Sequence, residues 1–229
     1  MASSIAIWAI SLAAAIYTMR QCRKPTGWLG RFMVWGMNRS HLDLTTWGLG
    51  HVEVRRQDTV LDVGCGGGRT VQRLAAMADA GKVCGVDYAP ASVAASAALN
   101  RAAIAEGRVE IQRGSVSQLP YSSDTFDLVT AVETHYYWPD LPGDVRQILR
   151  VLKPGGAVLI VAEAYRGGRF DRMQRGALKL IGGDVLSVEE YRELLAKAGF
   201  IDVGVLVEAK KGWICATGRK PFSAKDEHG

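Results

Sequence analysis

A carboxylate set just ahead of closely spaced glycines is the arrangement in this chain best suited to chemistry. Asp62 precedes Gly64, Gly66 and Gly68, with Cys65 and Gly67 between them. Glycine turns sharply and lets a ligand lie against bare backbone, because it carries no Cβ to clash. The dinucleotide fingerprint needs glycines at relative positions 1, 3 and 6, and position 6 here is Arg69. A P-loop needs a Lys-Ser/Thr pair after its last glycine, and Arg69-Thr70 does not supply it. An acid ahead of the loop suits a cationic partner, such as an amino group, better than a pyrophosphate.

Two further groups could act with it. Asp87 lies 23 residues after Gly64, near the roughly 20-residue spacing at which βαβ nucleotide folds place an acid on ribose hydroxyls. A carboxylate accepts from both hydroxyls at once, which is why an acid is needed there. Downstream, Glu133-Thr134-His135-Tyr136-Tyr137-Trp138 brings together an acid, a histidine and three aromatics. Such a stretch at the carboxyl end of a strand is a candidate substrate wall, with Glu133, His135 and Tyr136 as candidate catalytic residues. An imidazole near its ordinary pKa can take a proton from an acceptor. Core packing of the same aromatics is the alternative. The cysteines (Cys22, Cys65, Cys84, Cys215) form no CxxC pair, so neither a zinc site nor a disulfide framework is expected, and no metal.

These groups need elements to hold them. Thr59–Val63 reads as a short buried strand and Thr70–Met77 as a helix, with Val71, Leu74, Ala75 and Ala78 at helical spacing. Residues 82–86 form a second strand ending in Asp87, 90–105 an Ala-rich helix, and 109–113 a third strand. Residues 124–132 lead as a fourth strand into Glu133. A helix over 141–151 precedes Leu152-Lys153-Pro154-Gly155-Gly156, which turns into a fifth strand over 157–162. Ser187-Val188-Glu189-Glu190 is a capping box opening a helix through Ala198, ended by Gly199. Residues 203–207 and 213–217 are the last two strands.

The acid followed by GxGxG, Asp87, the Phe126-Asp127 strand start and LKPGG, in this order, resemble the class I S-adenosylmethionine (SAM) dependent methyltransferases. The resemblance covers about residues 55–218 and is closest to the ubiquinone and menaquinone biosynthesis branch. It implies an α/β fold: a Rossmann-like, seven-stranded, doubly wound sheet with an antiparallel last strand, plus amino-terminal helices. It also implies SAM as cofactor, held by Asp62, Gly64, Cys65, Gly66, Gly68, Asp87, Tyr88, Ser115, Val116 and Glu133. Ser115 stands where the family usually has an acid receiving the adenine amino group. A small, hydrophobic acceptor is expected, with no nucleic acid: there is no (Asn/Asp)-Pro-Pro-aromatic tetrad and no appended RNA-binding module. A non-catalytic scaffold of the same fold is the alternative from another class.

The ends add context. Residues 2–19 are uncharged and apolar, about 18 residues spanning roughly 27 Å as a helix, close to a bilayer's hydrocarbon thickness. Arg20, Arg23 and Lys24 follow, which places a downstream domain on the cytoplasmic side of a membrane. A packed helix on a soluble cytoplasmic enzyme is the competing reading. Residues 20–54 read as a cap, 55–219 as the SAM-binding domain and 220–229 as a tail. Among 229 residues, 48% are hydrophobic and 22% charged, which argues against wholesale disorder. The net charge of +5 permits an anionic partner or membrane surface, and Arg166 to Lys179 concentrates part of it.

Overall fold

The computed structural model describes residues 41–222, apart from Phe170 and Ile181. The expected anchor over residues 2–19, most of the 20–54 cap and most of the tail lie outside the described residues. Among the described residues, no helix is long and apolar enough to cross a membrane.

Among the described residues, helix α1 (Leu42–Leu49) comes first, then β1 (Thr59–Val63), α2 (Arg69–Met77), β2 (Lys82–Asp87), α3 (Pro90–Leu99), α4 (Arg101–Ala105) and β3 (Val109–Arg113). After these come β4 (Phe126–Val132), a 3₁₀ turn (His135–Tyr137), α5 (Leu141–Val151) and β5 (Leu152–Ala162). The chain closes with α6 (Asp171–Leu180), α7 (Val188–Ala198), β6 (Ile201–Glu208) and β7 (Trp213–Arg219). The seven strands order as β3-β2-β1-β4-β5-β7-β6. Strands β1 to β5 pair in parallel, and β7 runs antiparallel to both β5 and β6. This is the expected doubly wound sheet with an antiparallel last strand.

Alternation along the central strands builds two cores, one on each face. Val60, Leu128, Leu159 and Val161 pack with Val71 and Leu74 of α2 and Leu44 of α1. Leu61, Val129 and Ile160 pack on the other face with Ile148 of α5 and with Tyr191 and Leu195 of α7. Strands buried on both sides read as near-continuous apolar runs, which is why β1, β4 and β5 stand out in the sequence.

Local signals account for most boundaries. Ser187 Oγ accepts from the Glu190 amide at 3.2 Å while the Glu190 carboxylate accepts from the Ser187 amide at 2.7 Å, completing the capping box. Gly199 ends α7 in the left-handed region at φ 104°. Two expectations need correction. The single helix over 90–105 is broken at Asn100, whose side-chain amide donates to Ser96 O at 2.9 Å and to Gly68 O at 3.1 Å. The LKPGG segment is an irregular start of β5 rather than a free turn before it. Leu152 pairs with Phe126, and pairing resumes only at Ala157 with Leu128, so residues 153–156 bulge opposite Asp127. Lys153 Nζ closes the bulge by donating to Asp127 Oδ2 at 2.7 Å.

Candidate active site at the carboxyl edge of the sheet

Strand β1 lies between β2 and β4, where the winding of the sheet reverses, and the carboxyl ends around such a point form a crevice. The glycine loop sits there. Gly64, Gly66 and Gly68 take φ values of 72°, 50° and 81°, a region that disfavours a Cβ. The Gly64 and Cys65 amides both donate to Val86 O, at 2.8 and 3.1 Å, stitching the loop to β2. A Cβ on Gly64 would come within 2.0 Å of Thr134 Oγ1, so the loop also abuts the segment after β4. At Gly66 a Cβ would meet nothing nearer than the Gly64 carbonyl oxygen at 4.0 Å, so this backbone faces open space. That cradle fits a ligand laid against main chain.

Asp87 is locked into the same unit. Its Oδ2 accepts from the Gly66 amide at 3.0 Å and its Oδ1 from the Ala89 amide at 2.8 Å. Burial raises its pKa and the two amide bonds oppose that rise. Each oxygen keeps a lone pair for a hydroxyl. Asp62 is 2% exposed, and its Oδ1 accepts from Thr130 Oγ1 at 2.7 Å. Burial pushes its carboxyl up to about 7, with Thr130 opposing and the Asp87 charge adding. A cation beside it would favour the ionised form.

Other expected residues take varied places. Cys65 is buried, its Sγ 3.8 Å from Ser96 Oγ, and burial drives its thiol pKa well up. Tyr88 is 40% exposed beside Asp87. Ser115 is exposed and its Oγ accepts from its own turn's Ser117 amide at 3.2 Å. Val116 turns its side chain into the core.

Glu133 follows β4 in the left-handed region at φ 57°. Its Oε1 accepts from Tyr136 Oη at 3.1 Å and from the Glu163 amide. Burial first, then the Glu163 charge, pushes its carboxyl up to about 8. The Tyr136 hydroxyl also accepts from the Ala164 amide at 3.1 Å. His135 departs from the expectation of a proton acceptor facing substrate. It is 2% exposed, its Nε2 is hydrogen bonded to Tyr191 Oη of α7, and burial holds its pKa down at about 3. The imidazole therefore stays neutral behind the wall, packed on the Tyr136 ring at 4.4 Å.

Sequence reasoning missed three residues here. Asn100 ties the glycine loop to α3. Glu163, just past β5, and His41, just before α1, come beside Glu133, with one donor atom from each within 4.8 Å of the others. No local motif announces residues 92 and 30 positions apart. A separate cavity of about 340 Å³, among Asp58, Asp127, Pro154 and Phe222, lies at the opposite end of the strands and holds none of the expected site residues.

Residues 61–160, which span the glycine loop, Asp87 and Glu133, match the family model of a methyltransferase domain. Over this stretch the chain resembles the class I SAM-dependent methyltransferases. The chain is 30% identical over 156 residues to 27-O-demethylrifamycin SV methyltransferase of Amycolatopsis mediterranei, covering 66% of this chain and 56% of that protein. To cycloartenol-C-24-methyltransferase 1 of Oryza sativa it is 36% identical over 148 residues, covering 62% and 43%. It thus spans about half the length of the curated relatives it matches. A SAM-dependent methyltransferase from Aquifex aeolicus superposes with a TM-score of 0.69 at 21% identity, covering 83% of this chain and 98% of that one. At that identity the match reports the fold alone.

Proposed function

We propose that this chain binds SAM against the Gly64–Gly68 loop and passes its methyl group to a small, hydrophobic acceptor held near Glu133 and Tyr136. The observation that carries this reading is the Asp87 carboxylate, fixed by the Gly66 and Ala89 amides beside a backbone cradle that faces open space. When bound, SAM supplies an electrophilic methyl: the acceptor bonds to carbon as the carbon–sulfur bond breaks, leaving S-adenosylhomocysteine. The protein's own part is to position and desolvate. Asp87 would receive the ribose hydroxyls, Asp62 the amino group, and the backbone near Ser115 and Val116 the adenine. His135, held neutral by burial, would orient Tyr136 rather than move a proton. Tyr136 and the Glu163 amide would hold the Glu133 carboxyl at the acceptor side.

A hydrophobic acceptor is supported by the apolar Tyr137 and Trp138, which directly follow Tyr136 and are half-buried against the core. Two relatives are named for methylating 27-O-demethylrifamycin SV and cycloartenol. The apolar stretch over residues 2–19 fits delivery of such an acceptor from a membrane surface. The test is to incubate the full chain with cell extract and methyl-labelled SAM, then divide the label among organic, aqueous, RNA and protein fractions. Label in the organic fraction is expected; label confined to the aqueous fraction would refute the hydrophobic acceptor. Calorimetry on Asp87→Ala should show SAM affinity reduced at least about tenfold, since a lost charged hydrogen-bond acceptor costs about 1.5–3 kcal/mol. Unchanged affinity would remove the main support of the reading.

A further inference from the structure

We infer that His41, Glu133 and Glu163 form a binding site for one divalent first-row cation of the Mn²⁺, Co²⁺ or Zn²⁺ kind. One nitrogen and two carboxylate oxygens lie within 4.8 Å of one another. Donors about 2.0–2.2 Å from such an ion stand roughly 3–4 Å apart, so modest side-chain shifts close the set. The imidazole separates this cluster from an ordinary pair of neighbouring acids. Hard cages for calcium or magnesium are built from oxygen, whereas imidazole with carboxylate suits the first-row transition ions and zinc.

The three donors come from packed elements. Glu133 and Glu163 follow the adjacent parallel strands β4 and β5, and the Glu133 amide donates to Val161 O at 3.0 Å. The Tyr136 hydroxyl and the Glu163 amide both donate to Glu133 Oε1, fixing that carboxylate as outer partners fix metal ligands. His41 stands at the start of α1 without capping the helix through its side chain. Helix α1 lies so close on β5 that a Cβ on Gly48 would come 2.4 Å from Val161 Cγ2. A dication would offset the mutual repulsion of the two carboxylates.

Three protein donors leave coordination positions open, as in sites where a metal meets a substrate. Thr134, next to Glu133, touches the glycine loop at Gly64, so an acceptor oxygen or nitrogen on the ion would sit beside the methyl donor. That last step rests on the methyl-transfer reading; ion binding does not.

The experiment uses the full chain, stripped with a chelator and titrated with Mn²⁺ and with Zn²⁺ by calorimetry, with SAM titrated in parallel. One equivalent of ion is expected, with affinity lowered at least tenfold in both His41→Ala and Glu163→Gln while their circular dichroism stays that of the parent. No stoichiometric ion in the parent chain, or unchanged affinity in both folded variants, overturns the site. Loading the parent with Co²⁺ gives a readout independent of any variant: a shifted visible absorption spectrum supports protein donors, and the spectrum of the aqueous ion overturns them. SAM bound without metal overturns the cation site and leaves the methyl-transfer reading standing. Metal bound without SAM supports the cation site and overturns the other.

Discussion

Replacing Asp62 by Asn should stabilise the unliganded protein in a pH-dependent way. Burial is the main reason that the folded Asp62 carboxyl is pushed up to about 7 from its ordinary 3.8. Below pH 4 both folded and unfolded chains hold the proton, and Asp62 contributes nothing to the difference. Between about pH 4 and 7 the unfolded chain ionises while the folded one keeps its proton, so stability falls as pH rises. Above about pH 8 the loss is complete. Its ceiling is about 3 pKa units at about 1.4 kcal/mol each, or about 4 kcal/mol. Asn keeps an oxygen for the Thr130 hydroxyl, and any cost of burying its amide does not change with pH. The quantity to read is therefore the growth of the Asn-minus-Asp stability difference from pH 4 to pH 8. Thermal unfolding without cofactor should show the two melting temperatures diverging by roughly 10 °C over that range, since about 1 kcal/mol moves a domain of this size by 2–4 °C. A difference that stays constant with pH would sink the argument. The same substitution removes the charge meant for the amino group, so SAM affinity should fall as stability rises.

Three further outcomes follow from the geometry. Gly64→Ala should lose both stability and SAM affinity, because φ is 72° and the new Cβ would meet Thr134 Oγ1 at 2.0 Å; calorimetry and melting curves matching the parent would refute the close approach. Tyr191→Phe removes the hydroxyl on His135 Nε2, and Nδ1 is already an unpartnered buried atom. It should cost about 1–3 kcal/mol by denaturant unfolding, and a neutral result would argue against that buried hydrogen bond. Ser187→Ala breaks one half of the α7 capping box and should cost about 1 kcal/mol, while Ser187→Thr should restore most of it in the same assay.

Features carried by neighbouring residues were legible in the sequence. The apolar runs of β1 and β4, the glycine loop, and Ser187 with Glu190 declare themselves within a few positions. Asp87 was legible because the βαβ repeat sets its distance from the loop. Asn100 was not, because the alanines on either side keep a helical pattern through the break, and its partner Gly68 is 32 residues away. The burial of His135 was equally hidden. Its partner Tyr191 is 56 residues on, and only α7 docking on the sheet brings the two together. Glu163 is one acid beyond an apolar strand, and His41 is one polar residue among several, with Asn38, Arg39, Ser40 and Asp43 around it. Only the parallel pairing of β4 with β5, and α1 laid on β5, brings them to Glu133.

Among the described residues, strand β7 comes last along the chain and yet it lies inside the sheet, between β5 and β6. During synthesis, β6 leaves the ribosome before the strand that joins it to the rest, so it has nothing to pair with until residues 213–219 follow. The outer third of the sheet must therefore close in one late event that places β6 and β7 together on β5. Folding on the ribosome would stall with β5 as a bare edge, the same strand that leads into Glu163, and that waiting edge is where a chaperone or a mispaired neighbour would bind.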